Sequence, residues 1–280
     1  MAEGVLHLLQ RAPAWGVQML MLCVWLALLA ALFVPLERLW GQRPQRILRR
    51  GFAADLAFYF INGLLTKLLL VGALSITFSL WHRLVPIDFY RFTSELPTVV
   101  RLVAVMVVGD LGAYWGHRCM HRVPALWRVH AVHHSATAMD WLVNTRAHPL
   151  DLAFTRLCGL LPIYLLGLAQ PAADSSDLVP LIYAIGGTVW GFFIHANLRW
   201  RFGMLEALIS TPGFHHWHHD AAGPGAADKN FAAIFPWLDK IFGTFHAPRD
   251  AWPAVYGDDR GSLLTVVQHL WRPFARRETA

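Results

Sequence analysis

Residues 12–36 read APAWGVQMLMLCVWLALLAALFVPL, twenty-five positions without a charge. A helix of that length is about 37 Å long, enough to cross roughly 30 Å of hydrocarbon. Arg11 precedes the run and Glu37-Arg38 ends it, with no small-residue cleavage site after the apolar core. It therefore reads as a retained span rather than a removed signal peptide.

Outward from that run the rest of the chain agrees with a bilayer. Hydrophobic residues make up 56% of the sequence, Trp alone numbers 13 and mean hydropathy is +0.40. Those values exceed soluble averages. Residues 52–81 are broken only by Asp55 and Lys67, and residues 98–115 contain Arg101 and Asp110. Residues 152–169 contain Arg156, while 178–194 carry no charge. Trp40, Trp81 and Trp115 stand near the ends of these runs, where interfacial aromatics belong. The expected fold is all-α, an integral membrane bundle of four to five spanning helices. Residues 1–99 supply N-terminal membrane helices and a basic loop, and residues 251–280 a basic tail.

The loop after the first run holds Arg38, Arg43, Arg46, Arg49 and Arg50 against the single acid Glu37. The positive-inside rule puts it in the cytoplasm. The second span leads out to a less basic loop at Pro86 to Pro97, and the third returns. A hairpin of two more spans, turning near Gln170 to Asp177, goes out and back. The tail, with Arg272, Arg276 and Arg277, then also lies inside. Net charge of +6 and a pI near 9.6 reflect these membrane-flanking residues rather than a nucleic-acid recognition element, so no nucleic-acid partner is expected. Cys23, Cys119 and Cys158 have neither metal nor disulfide spacing.

On the expected cytoplasmic side the chain repeats one word: His117-x-x-x-His121, then His130-x-x-His133-His134, then His215-x-x-His218-His219. With 15 histidines in 280 residues, chance would give ~0.04 copies of H-x-x-H-H. Spacings of three and four put side chains on one helical face, so each word is expected to aim its imidazoles at one point. Eight such residues exceed the four ligands of a closed structural zinc site. H-E-x-x-H is absent, which removes the common zinc protease pattern. No Glu lies between Glu95 and Glu206, so a carboxylate-bridged bundle has little to draw on. Imidazole suits zinc, copper, iron and nickel alike and leaves the metal open.

The stretches HRCMHRVPALWRVHAVHHS, NTRAHPLD, HANLRW, TPGFHHWHHD and NFAAIFPWLDKIFGTF closely resemble the fatty acid hydroxylase / sterol desaturase superfamily, in its order and spacing over residues 100 to 250. The resemblance implies a catalytic domain over 100–250 and a membrane-bound oxygenase of lipids. It implies two non-haem irons, which zinc can replace in recombinant protein, with O2 as oxidant. By motif position it implies ligation by His117, His121, His130, His133, His134, His215, His218 and His219, and the HANLRW stretch adds His195. Ala232 and Ala233 stand where relatives often have glycine, and His216 is an added histidine; neither removes a ligand.

Around these ligands, Asp110 is expected to support a metal-bound imidazole, because it shares a helical face with His117 and His121 and an acid within a span is costly. Asn144, His148 and His216 are further candidates for contacts behind the ligands, and Asp140, Asp220 and Asp239 weaker ones. Tyr114 and Trp217 are candidates for the pocket wall. No side chain beyond the metal ligands is needed as a catalytic residue, since the cofactor carries the hard chemistry.

The expected activity is hydroxylation of an unactivated C–H bond in a lipid, such as a fatty acyl chain or sterol, with electrons from outside. The chain has no haem-attachment motif, ferredoxin cysteine pattern or G-x-G-x-x-G loop, so a separate reductase, ferredoxin or cytochrome must supply them. Arg43, Arg46, Arg49 and Arg50 are the expected docking site for an acidic carrier. Desaturation, zinc-dependent lipid hydrolysis and non-catalytic metal binding or transport are the alternatives. The expected location is a bacterial inner membrane, with the metal site on the cytoplasmic side.

Overall fold

The computed structural model describes residues 13–81, 83–168, 178–223, 225–257 and 264–275. The expected turn at 170–177, together with His7, His82, Arg276 and Arg277, lies outside them. Among the described residues the chain is helical, with no strand beyond the isolated bridges Gly41–Leu198 and Asp220–Tyr256.

Three helices are long and apolar enough to cross a membrane: α1 (Ala14–Trp40), α2 (Phe52–Trp81) and α4 (Thr98–Arg122). Between the last two, the expected loop folds as a short helix, α3 (Ile87–Ser94), started by Pro86. The two further expected spans correspond to α6 (Pro149–Leu165) and α7 (Val179–His195), each of 17 residues. At about 26 Å each falls short of the hydrocarbon thickness. Of the four to five spans expected, three have helices long and apolar enough to cross; α7 is a shorter apolar helix, and α6 carries Asp151 and Arg156. Many large apolar side chains on α1 and α2 face outward, Leu28, Leu32, Leu68 and Val71 among them. On a protein in water such faces would be association sites; in a bilayer they meet lipid.

Packing between α4 and α6 is unusually close, because small residues line it. Gly109, Gly112 and Gly116 form a stripe on α4, and a Cβ at Gly112 or Gly116 would collide with Cys158 of α6. This brings the C-terminal half of α4, with His117 and His121, beside the first turn of α6. On the other side α1, α2 and α7 enclose a core of Leu29, Phe33, Tyr59 and Phe192, onto which Trp141 and Leu142 pack. Phe33 and Trp141 stack with centroids 6.2 Å apart.

One polar element fastens α2 to the segment 140–147. Asp55, fully buried one turn into α2, accepts from the Arg146 Nε and, at 2.7 Å, from the Arg49 Nη2. Arg49 also grips both oxygens of Asp140, each at 2.6 Å. Thr145 Oγ1 donates to the Asp55 carbonyl at 2.7 Å, and Asn62 Nδ2 donates to the carbonyls of Thr145 and Ala147 at 3.0 Å. Gly51, at φ 86°, lies against the Arg146 guanidinium where a Cβ would clash.

Two of the arginines expected to dock a carrier are therefore turned inward. Arg49 is consumed by Asp55 and Asp140, its side chain 5% exposed. Arg43 donates to the carbonyls of Pro253 and Ala254 and lies over the Tyr256 ring at 4.4 Å. The segment after 250 also packs onto the rest: the short helix Val266–Trp271 sets the His269 ring 6.0 Å from Phe58 of α2.

Replacing Asp55 by Ala leaves the buried Arg146 guanidinium without a carboxylate and takes one of two acids from Arg49, and should cost roughly 3–5 kcal/mol. The expected readout is a large drop in the thermal midpoint of the detergent-solubilised chain. A midpoint within a degree of wild type would show that the network carries no load.

Candidate metal centre

The first histidine word lies on the last two turns of α4 and is a true helical pair. The other two words are not continuous helices. α5 (Pro124–His130) ends at His130, and His133 to Ser135 form a separate 3-10 turn. The four-residue α8 (Pro212–His215), capped by Thr211 Oγ1 on the Phe214 N–H, ends at His215. These breaks split the words between two points. His117, His121, His130, His134 and His218 form one group of ring nitrogens within 4.8 Å of one another; His133, His195, His215 and His219 form a second. The i,i+4 pairs stay together, while His133 and His218 cross to the other group. The expectation that each word addresses one point is thus corrected.

How the rings are held fixes which nitrogen points inward. Nδ1 of His117 donates to the Phe231 carbonyl at 2.9 Å, and that of His133 to the Arg146 carbonyl at 3.0 Å. Nδ1 of His195 donates to Gly191 at 2.7 Å and that of His218 to Lys229 at 2.8 Å. A carbonyl only accepts, so each Nδ1 carries the proton and each Nε2 presents a lone pair. His130 Nδ1 meets Asp151 Oδ2 at 2.9 Å and His121 Nδ1 meets Asp228 Oδ1 at 3.2 Å, the carboxylate version of the same support.

Inside the groups the Nε2 atoms face one another. His117 and His134 each lie 3.2 Å from His130 Nε2; His195 lies 3.1 Å from His215 and 3.2 Å from His133. Two lone pairs at that distance repel. A cation between them with bonds of about 2.0–2.1 Å sets neighbouring nitrogens about 2.8 Å apart at a right angle and about 3.4 Å apart at a tetrahedral one, which brackets the spacing. Nε2 of His121 and His218 are buried without a hydrogen-bond partner, as donors to an ion would be. The residues fit a pair of imidazole-bound metal ions. Trp127 packs 5.0 Å from His121, and Phe231 lies within 6 Å of His117, His121 and His218, so the first group is walled by aromatic rings.

Asp110 does not reach a histidine ring. Its carboxylate accepts from the backbone N–H groups of Ala233, Ile234 and Phe235 at 2.7–3.2 Å. Asp239 takes the preceding two, Phe231 at 2.8 Å and Ala232 at 3.0 Å. Two carboxylates thus hold the loop whose Phe231 carbonyl orients His117. Asp110 shares the face of the histidines, but an unpaired run of backbone donors lies nearer. Asn230, at φ 56°, precedes this loop and bonds the carbonyls of Phe214 and His246. It fixes the carbonyls on either side of it, one for His218 and one for His117.

His148 starts α6: its Nδ1 accepts from the Leu150 N–H at 3.2 Å and its Nε2 donates to the Leu270 carbonyl at 3.2 Å, away from both groups. His216 bonds Tyr256 Oη at 3.1 Å and the Ala196 carbonyl at 3.1 Å, bracing the chain just after His195. Asn144 lies beside Gly191, whose carbonyl orients His195; among the described residues it bonds no histidine ring. Tyr114 is core, its Oη joined to Thr244 at 2.9 Å, and Trp217 packs on His246. Asp140 serves Arg49, and Asp220 accepts from the Ala222 N–H. Asp151 and Asp228 are the carboxylates that reach the rings. Asp151 carried one sequence signal, its place in the first turn after His148-Pro149; Asp228 carried none.

Burial pushes the His133, His134, His215, His218 and His219 imidazoles well below their ordinary pKa, and His216 to about 4. The unfolded chain takes up these protons near pH ~6.5, whereas the folded chain resists them, so stability rises with pH across that range. The thermal midpoint should fall progressively as pH drops from about 6.5 to 5; a flat profile would contradict buried neutral rings. Replacing Asp151 by Asn should weaken retention of an added metal ion about 10–100-fold, measured by chelator competition. Retention equal to wild type would remove Asp151 from the support of the site.

Comparison with known proteins meets the same region. The fatty acid hydroxylase family profile matches residues 102–244, which hold all nine histidines of the two groups. Ornithine lipid hydroxylase OlsE of Rhizobium tropici is 32% identical over 188 residues, 65% of this chain and 53% of the relative. Human alkylglycerol monooxygenase is 31% identical over 151 residues, 53% of this chain and 31% of the relative. A putative methylsterol monooxygenase of Dictyostelium discoideum is 28% identical over 160 residues, 54% of each chain. The chain spans from about a third to about half the length of these relatives. No solved structure matches it. With a profile match over half its length, placed on the helices and loops that gather the histidines, the chain belongs to the fatty acid hydroxylase family.

Proposed function

We propose that this protein is a membrane-bound, O2-dependent lipid hydroxylase whose two histidine groups hold two irons. The observation that carries the proposal is the pair of adjoining imidazole groups, five rings and four, with Nε2 inward and most Nδ1 atoms tied to carbonyl or carboxylate. The printed names of the relatives, hydroxylases and monooxygenases of lipids, favour oxidation over hydrolysis. His117, His121, His130, His134 and His218 would hold one ion, and His133, His195, His215 and His219 the other. Two irons so held supply O2 activation and oxidation of an unactivated C–H bond.

The protein's own part is position and dryness. Carbonyls of Phe231, Arg146, Gly191 and Lys229 fix the tautomer of four rings, and Asp151 and Asp228 raise the basicity of two more. Phe231 and Trp127 exclude water on the side of the first group. The apolar outer faces of α1, α2 and α4 keep the chain where an acyl or alkyl substrate already lies. Electrons come from a separate carrier. The proposed location is a bacterial inner membrane with the histidines on the cytoplasmic side, by the charge of the loop after α1.

The test is lipid analysis of cells with and without the gene grown under 18O2, with metal analysis of the purified chain. One new lipid carrying a single 18O and about two irons per chain are expected. Substitution of His121 or His219 by Ala, one in each group, should each lower iron towards one per chain. An unlabelled unsaturated lipid would replace hydroxylation by desaturation, and a product formed without O2 would overturn the oxidative reading.

A further inference from the structure

A cavity of about 620 Å³ opens where α1 ends, on the chain leading to Arg49. Arg38, Arg43, Arg46 and Arg199 line it, together with Glu37 and Asp140. The acids are already occupied. Glu37 Oε1 accepts from the N–H groups of Trp141 at 2.8 Å and Asn197 at 2.9 Å, and both Asp140 oxygens are held by Arg49. Arg43 is spent on Tyr256 and two carbonyls, and Arg38 donates one bond to the Gln45 carbonyl at 3.0 Å. Arg46 and Arg199 are exposed, and among the described residues neither pairs with a carboxylate. The cavity therefore presents net positive charge with unspent donors.

Its surroundings place it at the depth of lipid headgroups. It sits at the end of the first long apolar helix, and its lining residues Leu39, Gly41 and Arg199 adjoin in sequence Trp40 and Trp200, whose rings meet at 5.6 Å as interfacial aromatics do. Leu39 and Ile47 line it and remain 65% and 44% exposed, and Leu48 beside them 72%. Apolar walls around cationic donors do not suit a soluble acidic protein, which would have to desolvate against them. They suit an amphiphile with a phosphate at one end and hydrocarbon at the other. The volume lies within the usual range of small-ligand sites.

We propose that this cavity binds the phosphodiester headgroup of an anionic phospholipid, held chiefly by Arg46 and Arg199 with Arg38 behind them. Arginine suits the task because its planar fork can take two phosphate oxygens at once. The site is distinct from the histidine groups. Asn197, which lines it, follows His195 by two residues and ties the wall to the loop after α1, bonding Arg43 N at 3.0 Å and the Arg43 carbonyl at 2.8 Å. The proposal requires neither iron nor turnover.

Native mass spectrometry of the full chain in detergent, titrated with phosphatidylglycerol, phosphatidylcholine or inorganic phosphate, tests it. Wild type should retain one phosphatidylglycerol in preference to phosphatidylcholine. The double variant Arg46→Gln, Arg199→Gln should bind phosphatidylglycerol at least ~10-fold more weakly, the loss expected for charge-assisted bonds. Arg46→Lys with Arg199→Lys should recover part of the affinity. Arg83→Gln with Arg91→Gln, an equal loss of charge on exposed residues elsewhere, should leave it unchanged. The proposal fails if the first pair binds the lipid as wild type does. Equal competition by inorganic phosphate would make this a free-anion site instead. Unchanged lipid binding with a raised KM for an acidic electron carrier would make it a protein dock.

Discussion

Inward-facing imidazole lone pairs, about 3 Å apart and shut away from water, repel unless a cation lies between them. That constraint organises the rest of the molecule. Neutral rings must be held with Nδ1 protonated, so the chain surrounds them with carbonyls and two carboxylates. Those acceptors sit on loops that must not move. The carboxylates of Asp110 and Asp239 take up five successive backbone donors of residues 231–235 and hold the carbonyl behind His117. Asp55 and Arg146 do the same for the carbonyl behind His133.

The membrane helices contribute more than anchorage. α2 delivers Asp55 and Asn62 to the segment 145–147, and α4 carries His117 and His121 to the point where α6 presents Asp151. The glycine stripe on α4 permits that approach, since a methyl group at Gly112 or Gly116 would push the helices apart. The geometry of the histidine rings and the packing of the long apolar helices are therefore one coupled problem. The ion pairs solve their part of it because Asp55 and Asp140 are matched and hydrogen-bonded by Arg49 and Arg146.

The histidine residues themselves were legible in the sequence, because spacing and count far exceed chance. Their division was not. H-x-x-H-H reads as one face of one helix, yet α5 and α8 stop at His130 and His215, and the turns that follow throw His133 and His218 to opposite groups. Asp110 was misplaced for a related reason: helical register gives a direction but not the nearest partner, which proved to be backbone N–H groups from residues more than a hundred positions away. The basic loop misled similarly. Counting arginines located a charged edge, but Arg49 and Arg43 face inward, while Arg46 and Arg199 keep their donors for the cavity.

The sequence by itself determined the class of fold, the membrane character and the histidine inventory, because these follow from periodicity and composition, which are local. Tertiary structure decided what no local rule contains. It set which histidines share a point, which carbonyls and acids hold their tautomers, and which charges are spent on the fold. Each depends on groups distant in the chain meeting across packed helices, where the nearest competitor for a hydrogen bond decides the outcome.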